Sequence, residues 1–125
     1  MLADSKAFSG FAVDDLDAAR TFYGETLGLG MSDTGMEGLL SLKIADARDI
    51  LVYVKPDYVP ATFTVLNFPV EDIDRVVDGL SARGVRFERY DGFDQDEKGI
   101  FRGGGPLIAW FTDPAGNILS VMQQD

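Results

Sequence analysis

The segment FAVDDLD, residues 11–17, returns as FPVEDID at residues 68–74, an offset of 57 positions. Two of the differences are Asp/Glu and Leu/Ile exchanges, so Ala12 and Pro69 form the one unlike pair. In both copies an apolar run meets an acidic pair, which is typical of a strand followed by the N-cap of a helix. The repeat therefore predicts a fold that is built from two similar units.

A second match supports the duplication. DILV at residues 49–52 resembles NILS at residues 117–120, at an offset of 68, and the two matches occur in the same order. We therefore predict two strand–helix–strand–strand–strand modules, at about residues 5–55 and 61–125, joined by the proline-containing connector 55–60. Together they are expected to form a single domain over residues 1–125.

The pattern of apolar residues places the elements within each module. Spacings of three and four predict one helix from Leu16 to Leu27 and another from Ile73 to Leu80. β-compatible runs predict the strands, at residues 6–13, 31–33, 39–44, 50–54, 62–70, 85–90, 107–111 and 118–122. Residues 91–99 are predicted to be an acidic loop, and RGGGP at 102–106 a hairpin connection or a mobile lid.

The composition excludes several kinds of chemistry. The chain has no histidine and no cysteine, which rules out a Ser-His-Asp triad, His-ligated metals, thiolate nucleophiles, zinc ribbons and iron–sulfur clusters. A net charge of −10 argues against nucleic acid, because phosphates are bound by clustered Lys and Arg. The acidity is explained by solubility or, alternatively, by an acidic cleft that attracts a cationic small molecule.

The sequence also predicts the compartment. Its apolar runs are far shorter than the roughly 20 residues of a membrane span. Residues 1–6 lack the basic start and the apolar core of a signal peptide. We therefore expect a cytoplasmic protein without membrane association.

These motifs, in this order, resemble the vicinal oxygen chelate superfamily of glyoxalases, bleomycin resistance proteins and extradiol dioxygenases. The resemblance spans nearly the whole chain and rests on the repeated segments together with FY at 22–23, LGL at 27–29, GV at 84–85 and DPAGNI at 113–118. It implies an α+β fold in which two tandem βαβββ modules form a curved mixed sheet around a cavity. It also implies a homodimer, because family members are commonly dimers.

Catalytic members of that family hold a divalent metal through His and Glu side chains on four strands. Placed on the repeat, those positions fall at Phe8, Val52, Val65 and Ser120. Apolar side chains offer a metal no ligand, and a single hydroxyl is not sufficient. We therefore expect neither a metal nor another cofactor.

Strand alternation extends this set to a hypothetical cavity wall. Trp110 is added because its ring would stack on an aromatic or cationic ligand. The predicted ligand-binding residues are Phe8, Val52, Phe63, Val65, Asn67, Trp110, Ser120 and Met122. The alternatives are that these residues fill a closed core, and that Trp110 packs in the core or at a dimer interface.

The acidic loop offers candidates for a general base or a metal ligand, namely Asp91, Asp94, Asp96 and Glu97. A catalytic carboxylate needs burial against apolar groups to raise its pKa, whereas this loop is polar. We therefore predict that these carboxylates form a solvated face, and no catalytic residue is assigned.

The sequence predicts a metal-independent protein that binds a small molecule, aromatic or cationic, of unassigned identity. One alternative is a glyoxalase-like lyase or isomerase with displaced metal ligands or metal-free acid–base chemistry, so whether the protein is an enzyme stays open. The other is a structural or regulatory domain whose cavity is filled by its own side chains. That alternative predicts no pocket above about 300 Å³, the low end of the range for ligand sites.

Overall fold

A computed structural model describes residues 1–124 of the chain. Its elements separate into two units, Met1–Pro60 (unit 1) and Ala61–Asp125 (unit 2). Within the described residues, each unit combines one α-helix with one mixed β-sheet. The α+β class predicted from the sequence is confirmed, whereas the grouping of both units into a single domain stays a prediction.

Unit 1 has a four-stranded sheet within the described residues, in the order β1-β4-β3-β2. β1 runs parallel to β4, and the other neighbours are antiparallel. A 3-10 helix, Leu2–Asp4, precedes the sheet, and the helix α1 continues as a π-helical turn, Thr21–Thr26. The elements are β1 (Gly10–Val13), α1 (Leu16–Arg20), β2 (Gly30–Asp33), β3 (Leu39–Lys43) and β4 (Ile50–Val54).

The sheet of unit 1 has one face packed against the helix. Phe11, Val52 and Leu40 are neighbours in one row across the strands, and all three are buried. The Phe11 ring lies 5.7 Å from the ring of Tyr23, which belongs to the turn after α1. This row therefore faces the helix, and strand alternation turns Leu51 to the opposite face.

Unit 2 has a three-stranded sheet within the described residues, in the order β5-β7-β6. β5 runs parallel to β7 and β6 runs antiparallel to it. The elements are β5 (Thr64–Pro69), α2 (Ile73–Ala82), β6 (Leu107–Thr112) and β7 (Ile118–Gln123). The buried apolar residues of this unit are Ile73, Val77, Val85, Ile100, Ala109, Phe111, Leu119 and Val121.

The repeat is visible in the hydrogen bonds that start the two helices. The carboxylate of Asp15 accepts from the backbone N–H of Ala18 at 3.1 Å, and that of Asp72 accepts from Arg75 at 3.2 Å. Both are N-caps, a type of contact that contributes about 1 kcal/mol. The acidic pairs in the repeated segments thus begin both helices, as the sequence predicts.

The structure corrects the second sequence match by one residue. β1 pairs with β4 through Phe11 and Val52, whereas β5 pairs with β7 through Phe68 and Val121. Since Phe11 corresponds to Phe68, Val52 corresponds to Val121, an offset of 69 rather than 68. Leu51 therefore corresponds to Ser120.

The strand predicted at residues 85–90 does not form. Phe87 makes an isolated bridge to Phe111, and the N–H of Glu88 donates to the carbonyl of Trp110 at 2.7 Å. At Tyr90 the backbone N–H donates instead to the side chain of Gln95. The segment therefore pairs with the edge of the sheet only near Phe87 and Glu88. The next backbone N–H that could pair with the sheet, that of Tyr90, is bonded to the Gln95 side chain instead.

Residues 91–106 form a connection that is held to β6 by backbone hydrogen bonds and to α2 by ion pairs. Gln95 bridges to Phe101, and the N–H of Phe101 donates to the carbonyl of Ile108 at 2.7 Å. Two cations tie the connection to α2. Lys98 lies 3.1 Å from the Asp78 carboxylate, and Arg102 lies 3.0 Å from that of Asp74.

Among residues 1–124, no helix combines the length and the apolar character that crossing a membrane requires.

Candidate functional site

Unit 2 carries an open cleft of about 340 Å³ that is walled mainly by aromatic rings. We call it the aromatic cleft. Its wall is formed by the segment that leads into β5, the connection that follows α2, and one face of the β6–β7 hairpin. The lining residues are Thr62, Phe63, Thr64, Tyr90, Phe93, Trp110 and Ile118.

Trp110 is the centre of the ring cluster behind this wall. Its ring centroid lies 5.5 Å from that of Tyr90 and 5.3 Å from that of Phe93, with interplanar angles of 75° and 49°. Tyr90 and Phe93 also meet each other at 5.9 Å, and Phe101 supports Phe93 from 5.6 Å. Tilted and edge-to-face contacts at these distances are favourable, so the rings form a preassembled apolar surface.

Two rings of the cleft are held out to solvent. Phe63 is 67% exposed and Phe93 is 49% exposed. Fully burying a phenylalanine side chain stabilises the folded protein by about 1.5–3 kcal/mol. The exposed rings of Phe63 and Phe93 therefore contribute less than this to folding. A concave apolar surface of this kind is suited to covering the face of a ligand.

Besides the indole N–H of Trp110, the polar side-chain groups of the aromatic cleft are hydroxyls. Thr62, Thr64 and Tyr90 supply them, and none of the seven lining residues in the described chain carries a formal charge. Burial raises the pKa of the Tyr90 phenol above its ordinary 10.0, and the nearby carboxylate of Glu88 acts in the same direction. The phenol therefore keeps its proton at neutral pH and can donate a hydrogen bond to a ligand.

Of the predicted wall residues in unit 2, Phe63 and Trp110 lie together in this cleft. Asn67 and Ser120 occupy the same row of the sheet as Trp110. The Ser120 hydroxyl is fully buried and donates to Asn67 Oδ1 at 2.5 Å. These two polar groups thus satisfy each other, and a ligand would have to compete with that bond.

Val65 and Met122 take different places. Val65 sits where the pairing of β5 with β7 shifts between Thr64 and Leu66. Met122 lies beside Ile108 on the face of the sheet that carries Trp110, and it is half-buried. Neither residue lines the aromatic cleft.

Unit 1 has a cleft of about 400 Å³ of a different character. The Phe8 ring, 55% exposed, lies under the Arg48 guanidinium at 5.7 Å. Asp49 accepts from Lys43 Nζ and from Ser41 Oγ, each at 2.9 Å. Hydrogen bonds from Lys43 and Ser41 lower the pKa of Asp49 below 3.8 against a small opposing effect of burial, so this cleft has a charged rim.

Val52, predicted to be part of the wall, has no exposed surface. It shares the row of Phe11 and Leu40 and so lies on the helix-packed face. Its neighbour Leu51 lines the unit 1 cleft together with Phe8. Leu51 therefore takes the position that the sequence assigns to Val52. The reason is that the second match of the repeat has an offset of 69 and not 68, which exchanges the two faces of the strand.

The side chains at the positions that the sequence assigns to the family's metal ligands do not fit a divalent metal. Phe8 and Val65 have no donor atom, and neither Val52 nor Leu51 adds one. The Ser120 hydroxyl is already bonded to Asn67. Across residues 1–124, no three acidic, His or Cys side chains come together in an arrangement that could hold a metal ion.

The acidic loop was predicted to be a solvated face, and this is wrong for Asp96. Its side chain is 26% exposed and accepts from the backbone N–H of Lys98 (2.9 Å), from that of Ile100 (3.0 Å) and from Arg102 Nε (2.8 Å). Partial desolvation would raise its pKa, but these three hydrogen bonds prevail and lower the pKa of Asp96 below 3.8. Asp96 is therefore a structural carboxylate, while Asp91, Asp94 and Glu97 are exposed.

Sequence reasoning missed Tyr90 and Phe93. The sequence prediction places Tyr90 at the end of the strand 85–90 and Phe93 in the acidic loop 91–99, and it singles out neither as a site residue. The available signal was two large rings within four residues of an otherwise acidic loop, since loops that are only solvated seldom carry them. Gln95 was missed as well, and no pattern in the sequence marks the bonds of its side chain.

Solved structures of other proteins share this fold. A glyoxalase family protein from Bacillus anthracis is similar at a TM-score of 0.74 and 22% identity, over 94% of this chain and 93% of that one. TnmS3, an antibiotic binding protein from Streptomyces, matches at a TM-score of 0.67 and 23% identity over 98% of both chains. A virulence protein from Salmonella typhimurium matches at a TM-score of 0.70 and 20% identity over the full length of both.

At the level of sequence, no curated protein matches the chain. The model of one family does match, over residues 7–121, and it covers both units. That extent agrees with the resemblance seen in the repeated segments. The chain therefore belongs to the Glyoxalase/Bleomycin resistance protein/Dioxygenase superfamily.

Proposed function

We propose that this protein binds a small aromatic molecule in the aromatic cleft of unit 2, without a metal and as a homodimer. The observation that carries the proposal is the exposed, preassembled ring surface formed by Phe63, Phe93, Tyr90 and Trp110. A neutral ligand suits its uncharged lining best, and a cationic ring remains compatible with the faces of the aromatic side chains.

The size and chemistry of the cleft support this proposal over a filled, purely structural domain. Its volume of about 340 Å³ lies above the roughly 300 Å³ at which ligand pockets begin. A compound with two or three fused rings would cover Phe63 and Phe93, and the hydroxyls of Thr64 and Tyr90 would orient it. Apolar area with a few placed hydrogen-bonding groups is the usual composition of a small-molecule site.

Two further facts support binding in place of metal chemistry. The side chains at the metal positions lack suitable donors, as described above. Among the structural neighbours, TnmS3 is named as an antibiotic binding protein. This neighbour supports the proposal because its fold accommodates an antibiotic in another protein.

The homodimer is proposed from family membership and from exposed apolar surface. Phe8 and Val59, which lie outside the aromatic cleft, are large apolar residues that stay more than half exposed. Where such residues form a contiguous patch, a partner often covers them. Light scattering is expected to give twice the chain mass of 13.6 kDa, and a mass of 13.6 kDa at every concentration would contradict the dimer.

The binding proposal is tested by titrating quinoline, N-methylquinolinium and 1-naphthol into the protein by calorimetry, with Trp110 emission as a second signal. We expect saturable binding of at least one compound. Phe93→Ala and Phe63→Ala should each weaken it about ten-fold, the equivalent of about 1.4 kcal/mol. Met36→Ala is the control, because Met36 is as exposed as Phe63 but lies in unit 1.

Three outcomes contradict the proposal. One is the absence of saturable binding across the three compounds. Another is weakening by Phe8→Ala with no effect of Phe93→Ala, which would assign the ligand to the unit 1 cleft. The third is a loss of affinity in Met36→Ala as large as that in Phe93→Ala.

A further inference from the structure

Gln95 makes three hydrogen bonds through its side-chain amide. Its Oε1 accepts from the backbone N–H of Tyr90 at 2.8 Å, and its Nε2 donates to the carbonyls of Glu88 at 2.9 Å and Gly99 at 2.8 Å. The partners fix the orientation of the amide, because one is an N–H and the other two are carbonyls. This half-buried side chain thus pairs with the N–H of Tyr90 and the carbonyl of Glu88, two backbone groups that a neighbouring strand would bond in a sheet.

These bonds control the backbone that carries two rings of the aromatic cleft. Tyr90 is bonded directly, and Phe93 lies between Tyr90 and Gln95 in the same turn. The N–H of Phe93 donates to the carbonyl of Tyr90 at 3.2 Å, and the N–H of Gln95 donates to that of Phe93 at 3.1 Å. The positions of both rings over Trp110 therefore depend on a turn that the Gln95 amide closes.

The same residue connects this turn to the strand that carries Trp110. Gln95 bridges to Phe101, and Phe101 bridges to Ile108 in β6, two residues before Trp110. Its bond to Gly99 approaches a closely packed point, since a Cβ on Gly99 would lie 3.2 Å from Cβ of Phe87. Gln95 thus reaches the β6 side of the ring cluster through its backbone and the Tyr90 side through its side-chain amide.

We propose that Gln95 is the positioning residue of the aromatic cleft and holds Tyr90 and Phe93 against Trp110 before a ligand arrives. It touches no ligand-facing surface itself, since it is not among the lining residues. When a site is ordered in advance, ligand binding does not have to include the cost of ordering its side chains. This inference rests on the proposed binding function for its effect on affinity, but its effect on the rings is a property of the free protein.

The test uses two variants of the full chain and one matched control. Gln95→Met keeps the length of the side chain and removes all three bonds, and Gln95→Glu keeps the acceptor for Tyr90 but loses both donors. The control is Gln123→Met, because Gln123 Oε1 also accepts from a backbone N–H in unit 2, that of Ile73 at 2.8 Å, away from the cleft. Trp110 is the one tryptophan of the sequence, so tryptophan emission reports on this cleft alone.

In the free protein, Gln95→Met is expected to shift Trp110 emission to longer wavelength and to increase its quenching by acrylamide. These changes should appear at temperatures where far-ultraviolet circular dichroism still shows the folded state. Gln95→Glu should shift the emission in the same direction, because its carboxylate would face the carbonyl oxygens of Glu88 and Gly99. Gln123→Met should lower the Tm without moving the emission. For quinoline, the Kd should rise about five- to 150-fold in Gln95→Met, the range expected when two rings are no longer ordered in advance.

Unchanged Trp110 emission in folded Gln95→Met would overturn the inference, as would an equal shift in Gln123→Met. Unfolding of both Gln95 variants would assign Gln95 to global stability and overturn it too. If the wild type binds none of the three compounds, the proposed function fails while the emission test still decides the role of Gln95. If the wild type binds quinoline and Gln95→Met binds it equally well, the positioning role alone fails.

Discussion

At the scale of single residues, neighbours in a strand belong to different environments. Val52 is fully buried in the row that faces the helix, whereas Leu51 is half-buried on the other face beside Phe8. The two side chains are chemically alike, so the difference in their burial comes from strand alternation, which turns successive side chains to opposite faces of the sheet. The pairing of Phe11 with Val52 decides which of the two faces the helix.

Alanine substitution should separate these roles. Val52→Ala is expected to lower the free energy of unfolding by about 2 kcal/mol or more, and Leu51→Ala by about 1 kcal/mol or less. Size alone predicts the opposite order, because Leu→Ala removes more carbon than Val→Ala. Urea unfolding of both variants measures the difference, and a larger loss in Leu51→Ala would show that the assignment of the faces is wrong.

The same comparison explains why the sequence misplaced one wall residue. Ile50-Leu51 and Ile118-Leu119 look like a match, and the match places Val52 opposite Ser120. Leu119 is fully buried in its sheet and Leu51 is not, so the likeness does not extend to their positions. A one-residue shift reverses which side chains face outward, and hydrophobicity cannot reveal it where both faces carry apolar residues.

At the scale of elements, the sequence predicted those with local signals. The N-caps at Asp15 and Asp72, the helices after them and the strands on either side of the 113–117 turn all appear as predicted. The strand predicted at residues 85–90 does not form, because its pairing depends on a side chain that lies outside the run, five residues after Tyr90. The Gln95 amide takes the N–H of Tyr90, and alternation within a short run carries no information about that bond.

Asp96 should make the stability of the 91–106 connection depend on acid. Because the folded-state pKa of Asp96 lies below its ordinary 3.8, its contribution is complete above that pH and is lost as the pH falls through the folded-state value. Asp96→Asn should therefore lower the free energy of unfolding by about 1.5–3 kcal/mol at neutral pH, the range for hydrogen bonds to a charged group. Urea unfolding between about pH 7 and about pH 3 should show wild type and variant converging in acid.

The exposed neighbour Asp94 provides the matched control for that measurement. Asp94→Asn, in the same connection, should stay within about 0.5 kcal/mol of the wild type at every pH, as is usual for exposed positions. A gap between wild type and Asp96→Asn that stays constant down to about pH 3 would contradict the role given to the ionised carboxylate.

At the scale of the whole molecule, the repeat and the short motifs around it were sufficient to predict the fold class and the family. The missing histidines were sufficient to question the family's metal chemistry. The location of the cleft was less predictable, because it depends on rings from a loop, a strand and the segment that leads into β5. Strand alternation pointed to Phe63, and Trp110 stood out as the one tryptophan of the sequence. Tyr90 and Phe93 required knowledge of how the 91–106 connection folds.

The net charge of −10 leaves one question for the whole molecule, namely whether it draws a cationic ligand to the cleft. Since no residue lining the cleft carries a charge, the field that acts on a ligand comes from side chains farther away. Salt screens such fields, with a Debye length of about 10 Å at 0.1 M. Burial of an apolar ring is affected far less.

Quinoline and N-methylquinolinium separate the two contributions, because they share a ring system and differ in charge at neutral pH. We expect the Kd of quinoline to change less than about two-fold between about 0.02 M and about 0.5 M NaCl, and that of N-methylquinolinium to rise several-fold. At the higher salt, quinoline should bind at least as tightly as the cation. Tighter binding of the cation at about 0.5 M NaCl would instead mean that short-range contacts with the ring faces, and not the distant acidic side chains, select a cationic ligand.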